Sequence, residues 1–246
     1  MTNAHATAII KQNTASYNAI AESFSVSRNC VWSDLSSFTR EMAIRAGVKV
    51  LDAGCGNGRL VDLFEGMDVS YYGIDTSEKL LEYARERAKK RVVNAEFLKA
   101  DVRELPYADN YFEYVFCIAV LHHLPSPAVR LKAMKEIARV LAPSGKLFMM
   151  NWNLWRLTIQ GKSVWKYLFS KKCHGALKGR GLQDVMTLFG DENTPLYYYA
   201  FRLGDLRYLA KKAGLAIEKA CYVKQGKQAH WWSARNSMLT AKKRSC

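Results

Sequence analysis

A chain of 246 residues can bury a full core and suits one α/β domain with an insertion, and its 49% hydrophobic and 24% charged content is ordinary for a globular protein. No apolar run reaches the length of a membrane span, and the six cysteines are scattered without a CxxC pair, which argues against a disulfide framework or a metal site. The net charge of +15 is one-sided: residues 51–155 carry 14 basic and 14 acidic side chains, whereas residues 202–246 carry 11 and 2, so the excess points to a polyanionic partner, nucleic acid or an anionic membrane surface.

Residues 7–46 read as amphipathic helix, with Tyr17, Ile20, Ala21 and Phe24 at helical spacing and a break at Ser25–Asn29. These helices either pack on a sheet or form a lid in which Tyr17, Phe24 and Arg28 face a ligand. The N-terminus lacks a basic-then-apolar pattern, so a cytoplasmic location is expected.

KVLDAGCGNGRL, residues 49–60, is the centre of the chain. A buried strand runs into Asp52, then Gly54, Gly56 and Gly58 follow at alternate positions. Glycine serves where φ is positive or where a ligand comes close to the backbone, so the pattern predicts a strand, a ligand-cupping loop and a helix. The spacing is GxGxG rather than GxGxxG, and no Lys-Ser/Thr follows, which excludes the usual dinucleotide and phosphate loops. A helix is expected from Arg59, then a second strand ending at Asp75, 17 positions after Gly58. A carboxylate there suits a ribose diol, although capping of the helix over 78–91 is an alternative role. A third strand in 95–105 leads to Asp101.

Residues 111–124, YFEYVFCIAVLHHL, read as strand 4 and its exit loop, where an acceptor would approach. Cys117 is expected to face the core, which argues against a cysteine nucleophile. His122 and His123 remain: at least one is a candidate base or substrate ligand, and the alternative is structural, with one hydrogen-bonding the loop and the other exposed. A helix over 127–141, a turn at Pro143-Ser144-Gly145 and a fifth strand follow. From Arg156, seven basic residues including Lys162, Lys166, Lys171, Lys172, Lys178 and Arg180 interleave with Trp155, Trp165, Tyr167 and Phe169, a composition suited to RNA more than to a membrane. The chain closes with a strand or loop entering a helix over 196–209, a sixth strand, and a final hairpin strand at HWWSARN, residues 230–236.

The glycine loop resembles the first motif of class I S-adenosylmethionine-dependent methyltransferases. That resemblance implies one domain with a doubly wound, Rossmann-like seven-stranded sheet, mostly parallel with a C-terminal antiparallel hairpin: residues 1–46 a helical lid, 47–153 the cofactor core, 154–195 a basic insertion and 196–246 the C-terminal helix and hairpin. It implies S-adenosylmethionine held by Asp52, Gly54, Gly56, Gly58, Asp75, Asp101, Val102 and Ile118, with Asp52 toward the amino group and Asp101 and Val102 beside the adenine. LAPSGKL resembles the LxPGGxL turn of this superfamily with Ser144 in place of a glycine.

YNAIAESFSVSRNCVW, AVLHHLPS, the basic segment after NWN and YYYAFRLGDLRYLAKKAGL…HWW extend the likeness to the tRNA wobble-uridine carboxymethyl methyltransferases. By that resemblance the acceptor is the carboxylate of 5-carboxymethyluridine, Arg28 and His123, with His122, are on the substrate side, tRNA is the partner of the basic 156–246 region, and a small zinc-binding activator subunit is a further partner as in eukaryotic relatives. A small-molecule or quinone-type methyltransferase, which shares the glycine loop and LHHL, is the alternative.

Overall fold

The computed structural model describes residues 1–35, 44–156, 181–189 and 194–244. Helices α1 (Asn3–Ala19) and α2 (Ala21–Ser27) precede strand β1 (Val48–Ala53). Then come β2 (Val69–Asp75), α3 (Glu78–Arg91), β3 (Ala95–Lys99), β4 (Phe112–Ile118), α4 (Pro127–Val140) and β5 (Leu141–Trp152). A small hairpin of β6 (Asp184–Phe189) and β7 (Thr194–Tyr199) is followed by α5 (Leu203–Lys212), β8 (Leu215–Lys224), β9 (Lys227–Gln228) and β10 (Asn236–Lys243).

One sheet runs β3-β2-β1-β4-β5-β10-β8-β9. Its first five strands are parallel, and β10 is antiparallel to both neighbours. The expected doubly wound sheet is present, with two-residue β9 as a short eighth strand and with β6–β7 as a separate sheet. The strand order reverses between β1 and β4, which is where such sheets open a crevice at their carboxyl ends.

Alternation along β4 builds the two layers. Val115 and Cys117 join one apolar cluster with Met134 and Ile137 of α4 and Leu206 and Leu209 of α5. Tyr114, Phe116 and Ile118 join the other with Phe64, Tyr71 and Phe148. Successive side chains of a strand point to opposite faces, so a strand covered on both sides is apolar throughout. Each fully buried Phe or Leu contributes about 1.5–3 kcal/mol by leaving water.

Helix α3 matches the expected 78–91. Ser77 caps it, its hydroxyl accepting from Leu80 N at 3.3 Å, and Lys89, Lys90 and Arg91 complement the dipole in the last turn. Other boundaries differ. The helix expected after the glycine loop is a 3₁₀ turn, Arg59–Leu63, confined between left-handed Gly58 and Gly66. The N-terminal helix divides at Ile20. The final strand begins only at Asn236, the last residue of HWWSARN, because residues 230–235 form a turn in which the His230 carbonyl accepts from Ser233 N and Ala234 N. Lys162, Trp165, Lys166, Tyr167, Phe169, Lys171, Lys172, Lys178 and Arg180 of the basic segment lie outside the described residues.

Candidate active site

A cleft opens at the carboxyl ends of β1, β2 and β4 and is roofed by α1 and α2. Its empty volume, mouth included, is about 1170 Å³. Asp52, Gly54, Gly56, Asp75, Asp101, Val102 and Ile118 line it, together with Arg28, His122 and His123. Of the residues picked from the sequence, only Gly58 stays outside. A Cβ there would meet the Ala84 backbone of α3 at 2.8 Å, so this glycine serves helix–loop packing and not the cleft wall. Gly54 differs: at φ +92° it lies against the β4 exit, and a Cβ would sit 2.2 Å from Val120 Cγ2.

The acids are set by local geometry. Asp52 is the penultimate residue of β1 and is buried, one oxygen accepting from the Tyr71 hydroxyl at 2.6 Å. Burial pushes its carboxyl up to about 7, against the opposing effect of the Tyr71 hydrogen bond. Asp75 ends β2, its two oxygens accepting from Ser77 N and Gly56 N at 2.9 Å each, which ties strand, glycine loop and helix start together. Burial raises its pKa, and these amide hydrogen bonds oppose the rise. Asp101 is more open and is gripped by Arg103, whose Nη2 lies 2.6 Å from Oδ2.

The roof is fastened to the floor. Thr14 donates to Thr76 at 3.1 Å, and Ser77 Oγ donates to Asn18 at 2.8 Å. Asn13 pairs with the backbone of Tyr197 in both directions, Nδ2 to O at 3.2 Å and Tyr197 N to Oδ1 at 3.0 Å. At the β4 exit, Ala119 takes a left-handed φ of 60°, a conformation rare for a residue with a Cβ, and the chain then turns into the 3₁₀ segment Leu121–His123. His123 Nδ1 lies 2.9 Å from the Tyr197 carbonyl, which can only accept, so Nδ1 carries the proton. In the neutral ring Nε2 then accepts from the Tyr17 hydroxyl at 2.8 Å. His122 is buried, its ring 5.1 Å from that of Tyr198 and 5.7 Å from that of Trp152.

Among the described residues two arginines line the cleft. Arg28 lies over the rings of Phe24 and Phe189, 5.9 Å from each centroid. Arg59 stacks on Trp32 at 4.4 Å, and burial together with repulsion from Arg28 lowers its guanidinium to about 10. Cys117 is fully buried and its thiol is pushed up to about 12 by burial, so the expected core placement holds.

Residues 51–149 match the family model described as Methyltransferase domain. A protein of Encephalitozoon cuniculi described as a methyltransferase is 31% identical over 204 residues, 82% of this chain and 85% of that one. The chain belongs to the S-adenosylmethionine-dependent methyltransferases. An Arabidopsis thaliana tRNA (carboxymethyluridine(34)-5-O)-methyltransferase is 34% identical over 136 residues, 55% of this chain and 31% of that one, so this methyltransferase spans less than a third of that longer relative. The 27-O-demethylrifamycin SV methyltransferase of Amycolatopsis mediterranei is 41% identical over 109 residues, 43% of this chain and 39% of that one. Among solved structures, a Haloferax volcanii methyltransferase in complex with the Trm112 activator superposes with a TM-score of 0.68 at 15% identity, covering 95% of this chain and 98% of that one. A Burkholderia thailandensis 1,6-didemethyltoxoflavin-N1-methyltransferase with bound S-adenosylhomocysteine superposes with a TM-score of 0.66 at 15% identity, covering 100% and 92%.

S-adenosylmethionine is therefore the cofactor, and the residues suit it. A methyltransferase cleft must take a cation bearing an ammonium, a carboxylate and a ribose diol. Asp52 is a buried carboxylate whose raised pKa a cationic ligand would relieve, and Asp75 is an acid at a strand end beside the loop amides. Asn13, Trp32, Arg59 and Trp152 also line the cleft and were not picked from the sequence. Asn13 precedes Tyr17 by one helical turn, a signal that was readable. Arg59 directly follows the glycine loop, whereas Trp32 and Trp152 join the site only through long-range packing. Among the described residues no cluster could hold a metal ion, and no helix is long and apolar enough to cross a membrane.

Proposed function

We propose that this methyltransferase esterifies the carboxylate of 5-carboxymethyluridine at the wobble position of tRNA. The observation that carries this reading is Arg28 at the cleft. It is a cation with no ion pair among the described residues, in a cleft where Asp52, the acid raised to about 7, is taken by the cofactor in this reading. His123 has both ring nitrogens engaged, Cys117 is sealed in the core, and burial holds the Tyr17 phenol well above its ordinary pKa. Such a site favours an acceptor that is already ionised at neutral pH, and a carboxylate is one. The activity named for the Arabidopsis relative and the 11 basic side chains in residues 202–246 support the same acceptor class.

In this reading Asp52 and the Gly54–Gly56 backbone hold the amino-acid end of the cofactor. Asp75 accepts from the ribose hydroxyls, and Asp101 and Val102 flank the adenine, with Ile118 on the floor. The bound cofactor supplies a sulfonium-activated methyl group. Arg28 orients the acceptor carboxylate, while Tyr17 and His123 keep the α1 roof closed and exclude water. His122 shapes the wall against Trp152 and Tyr198. No enzyme-bound intermediate is required, because transfer is a single in-line displacement. An activator subunit of the kind bound to the Haloferax neighbour is a further partner in this reading, checked by whether the purified chain transfers methyl groups alone.

The test is transfer of labelled methyl from S-adenosylmethionine to tRNA bearing 5-carboxymethyluridine, followed by mild alkali. Alkali-labile label in tRNA is expected, and Arg28→Ala should abolish most of it while keeping cofactor affinity. Full transfer by Arg28→Ala would remove the centre of the proposal. A small-molecule acceptor is the second reading, favoured by the 41% identity to the rifamycin-type enzyme, and label confined to a low-mass extract would select it.

A further inference from the structure

Beside the cleft lies a second pocket with an empty volume, mouth included, of about 1540 Å³, reached past walls that both share: Arg28, Trp32, Arg59 and Trp152. Its walls add Arg156 and Arg235, so that among the described residues four arginines line one cavity. Among the described residues the one carboxylate in its wall is Asp34, and that group is already engaged. Its oxygens accept from Gly226 N at 2.6 Å and Asn236 Nδ2 at 2.8 Å. Among the described residues no ion pair joins it to Arg28, Arg59 or Arg235.

Burial and a like-charged neighbour bear on two of these arginines, Arg59 and Arg156. Arg59 Nη1 is buried with no hydrogen-bond partner among the described residues, while the rest of the group lies on Trp32. Burial and Arg28 together depress the Arg59 cation, and burial and Arg235 depress that of Arg156. Like charges gathered in a half-enclosed cavity raise its potential, and a buried guanidinium N–H left without an acceptor costs free energy. An anion with several acceptor oxygens relieves both at once. The two pairs are also spaced along a path: Arg28 and Arg59 stand where the pocket meets the cleft, and Arg156 and Arg235 line the pocket alone. One anion at the cleft followed by others beyond it is the charge pattern of a nucleotide within a strand. The turn that carries Arg235 also exposes Trp231 and Trp232, the latter stacked on His230 at 4.3 Å, a surface on which an unpaired base can stack.

We infer that this second pocket seats the RNA phosphates flanking the acceptor nucleotide, with Arg156 and Arg235 as the phosphate ligands and Arg59 as the cation shared with the cleft. The inference rests on the tRNA reading and adds to it where the strand runs: from the cleft, past Trp32, toward the 230–235 turn.

The experiment measures binding of a labelled anticodon stem-loop RNA to the full chain with S-adenosylhomocysteine present, across a salt series, by fluorescence anisotropy. Arg156→Gln and Arg235→Gln should each raise Kd by about five- to tenfold and flatten the slope of log Kd against log salt by about 0.7 for each phosphate deprived of its arginine. Arg235→Lys should keep most of the slope, because it keeps the charge. S-adenosylhomocysteine affinity within about twofold of wild type shows that each variant is folded. Wild-type affinity and slope in the double Gln variant, with tRNA still methylated, would overturn the pocket and leave the tRNA reading standing. Absence of RNA binding, with methyl transfer only to low-mass acceptors, would overturn both. Arginine-dependent capture by phosphatidylserine vesicles without RNA binding would also overturn the inference.

Discussion

The Tyr17 hydroxyl lies 2.8 Å from Nε2 of His123, and the other nitrogen of that ring faces the Tyr197 carbonyl at 2.9 Å. One imidazole thus joins the roof helix α1, the β4 exit and strand β7. It is a latch between three parts of the chain, and its tautomer is set by the Tyr197 carbonyl, which can only accept.

Tyr17→Phe keeps the ring contacts and removes one hydrogen bond. It should lower kcat/KM for methyl transfer by about five- to tenfold with a stability loss of about 1 kcal/mol. His123→Ala leaves the Tyr197 carbonyl and the Tyr17 hydroxyl short of a partner, and should cost about 2–3 kcal/mol. Urea unfolding of the two variants, run beside steady-state kinetics, checks the order. Equal losses from both would sink the latch.

Asp52 titrates near pH 7 in the free protein because it is buried. Its ordinary value is about 3.9, so ionising it costs stability that accumulates as pH rises from about 4 to about 7. Cofactor binding runs the other way: a cationic ligand favours the ionised form, so affinity should strengthen as pH rises through 7. Calorimetric titration of S-adenosylmethionine between pH 6 and pH 8 measures this. Tyr71→Phe removes the hydrogen bond that holds the Asp52 pKa down and should move the midpoint upward. Asp52→Asn should remove this part of the pH dependence.

Gly54 and Gly58 belong to one motif but should fail differently. Gly54→Ala places a methyl group into Val120 at the cleft wall and should weaken cofactor affinity by tenfold or more. Gly58→Ala presses on the α3 backbone at a positive φ, and should show first as a loss of about 1–3 kcal/mol in stability. Melting temperature and cofactor Kd measured on both variants separate the two. Identical profiles would show that both glycines play one role.

Cys117→Ala tests the absence of a cysteine nucleophile. The side chain is fully buried in the layer shared with α4. The variant should transfer methyl groups within about twofold of the wild-type rate and lose about 1 kcal/mol of stability from the small cavity. Loss of transfer in a folded variant would reinstate covalent catalysis.

The sequence by itself determined the parts of this methyltransferase whose cause is local. An apolar strand running into alternating glycines, an acid at or within two residues of the end of each of the first three strands, and caps such as Ser77 are fixed by neighbours a few residues away. Helix α3 and strand β2 were therefore legible to the residue. The same was true of the acid positions and of the cleft they line. Tertiary structure decided what depends on distant chain segments meeting. Gly58 left the cleft because α3 folds back onto it. HWWSARN became a turn because its own carbonyls satisfy its amides before the strand begins. His123 became a latch because Tyr17, 106 positions away, and Tyr197, 74 positions away, converge on its two nitrogens. The arginines of the second pocket come from four separate stretches, and only the packing of lid, glycine loop, β5 and the C-terminal hairpin brings them to one cavity. Periodicity and turn chemistry reach only a few residues along the chain, whereas charge, burial and hydrogen-bond partnership act through space.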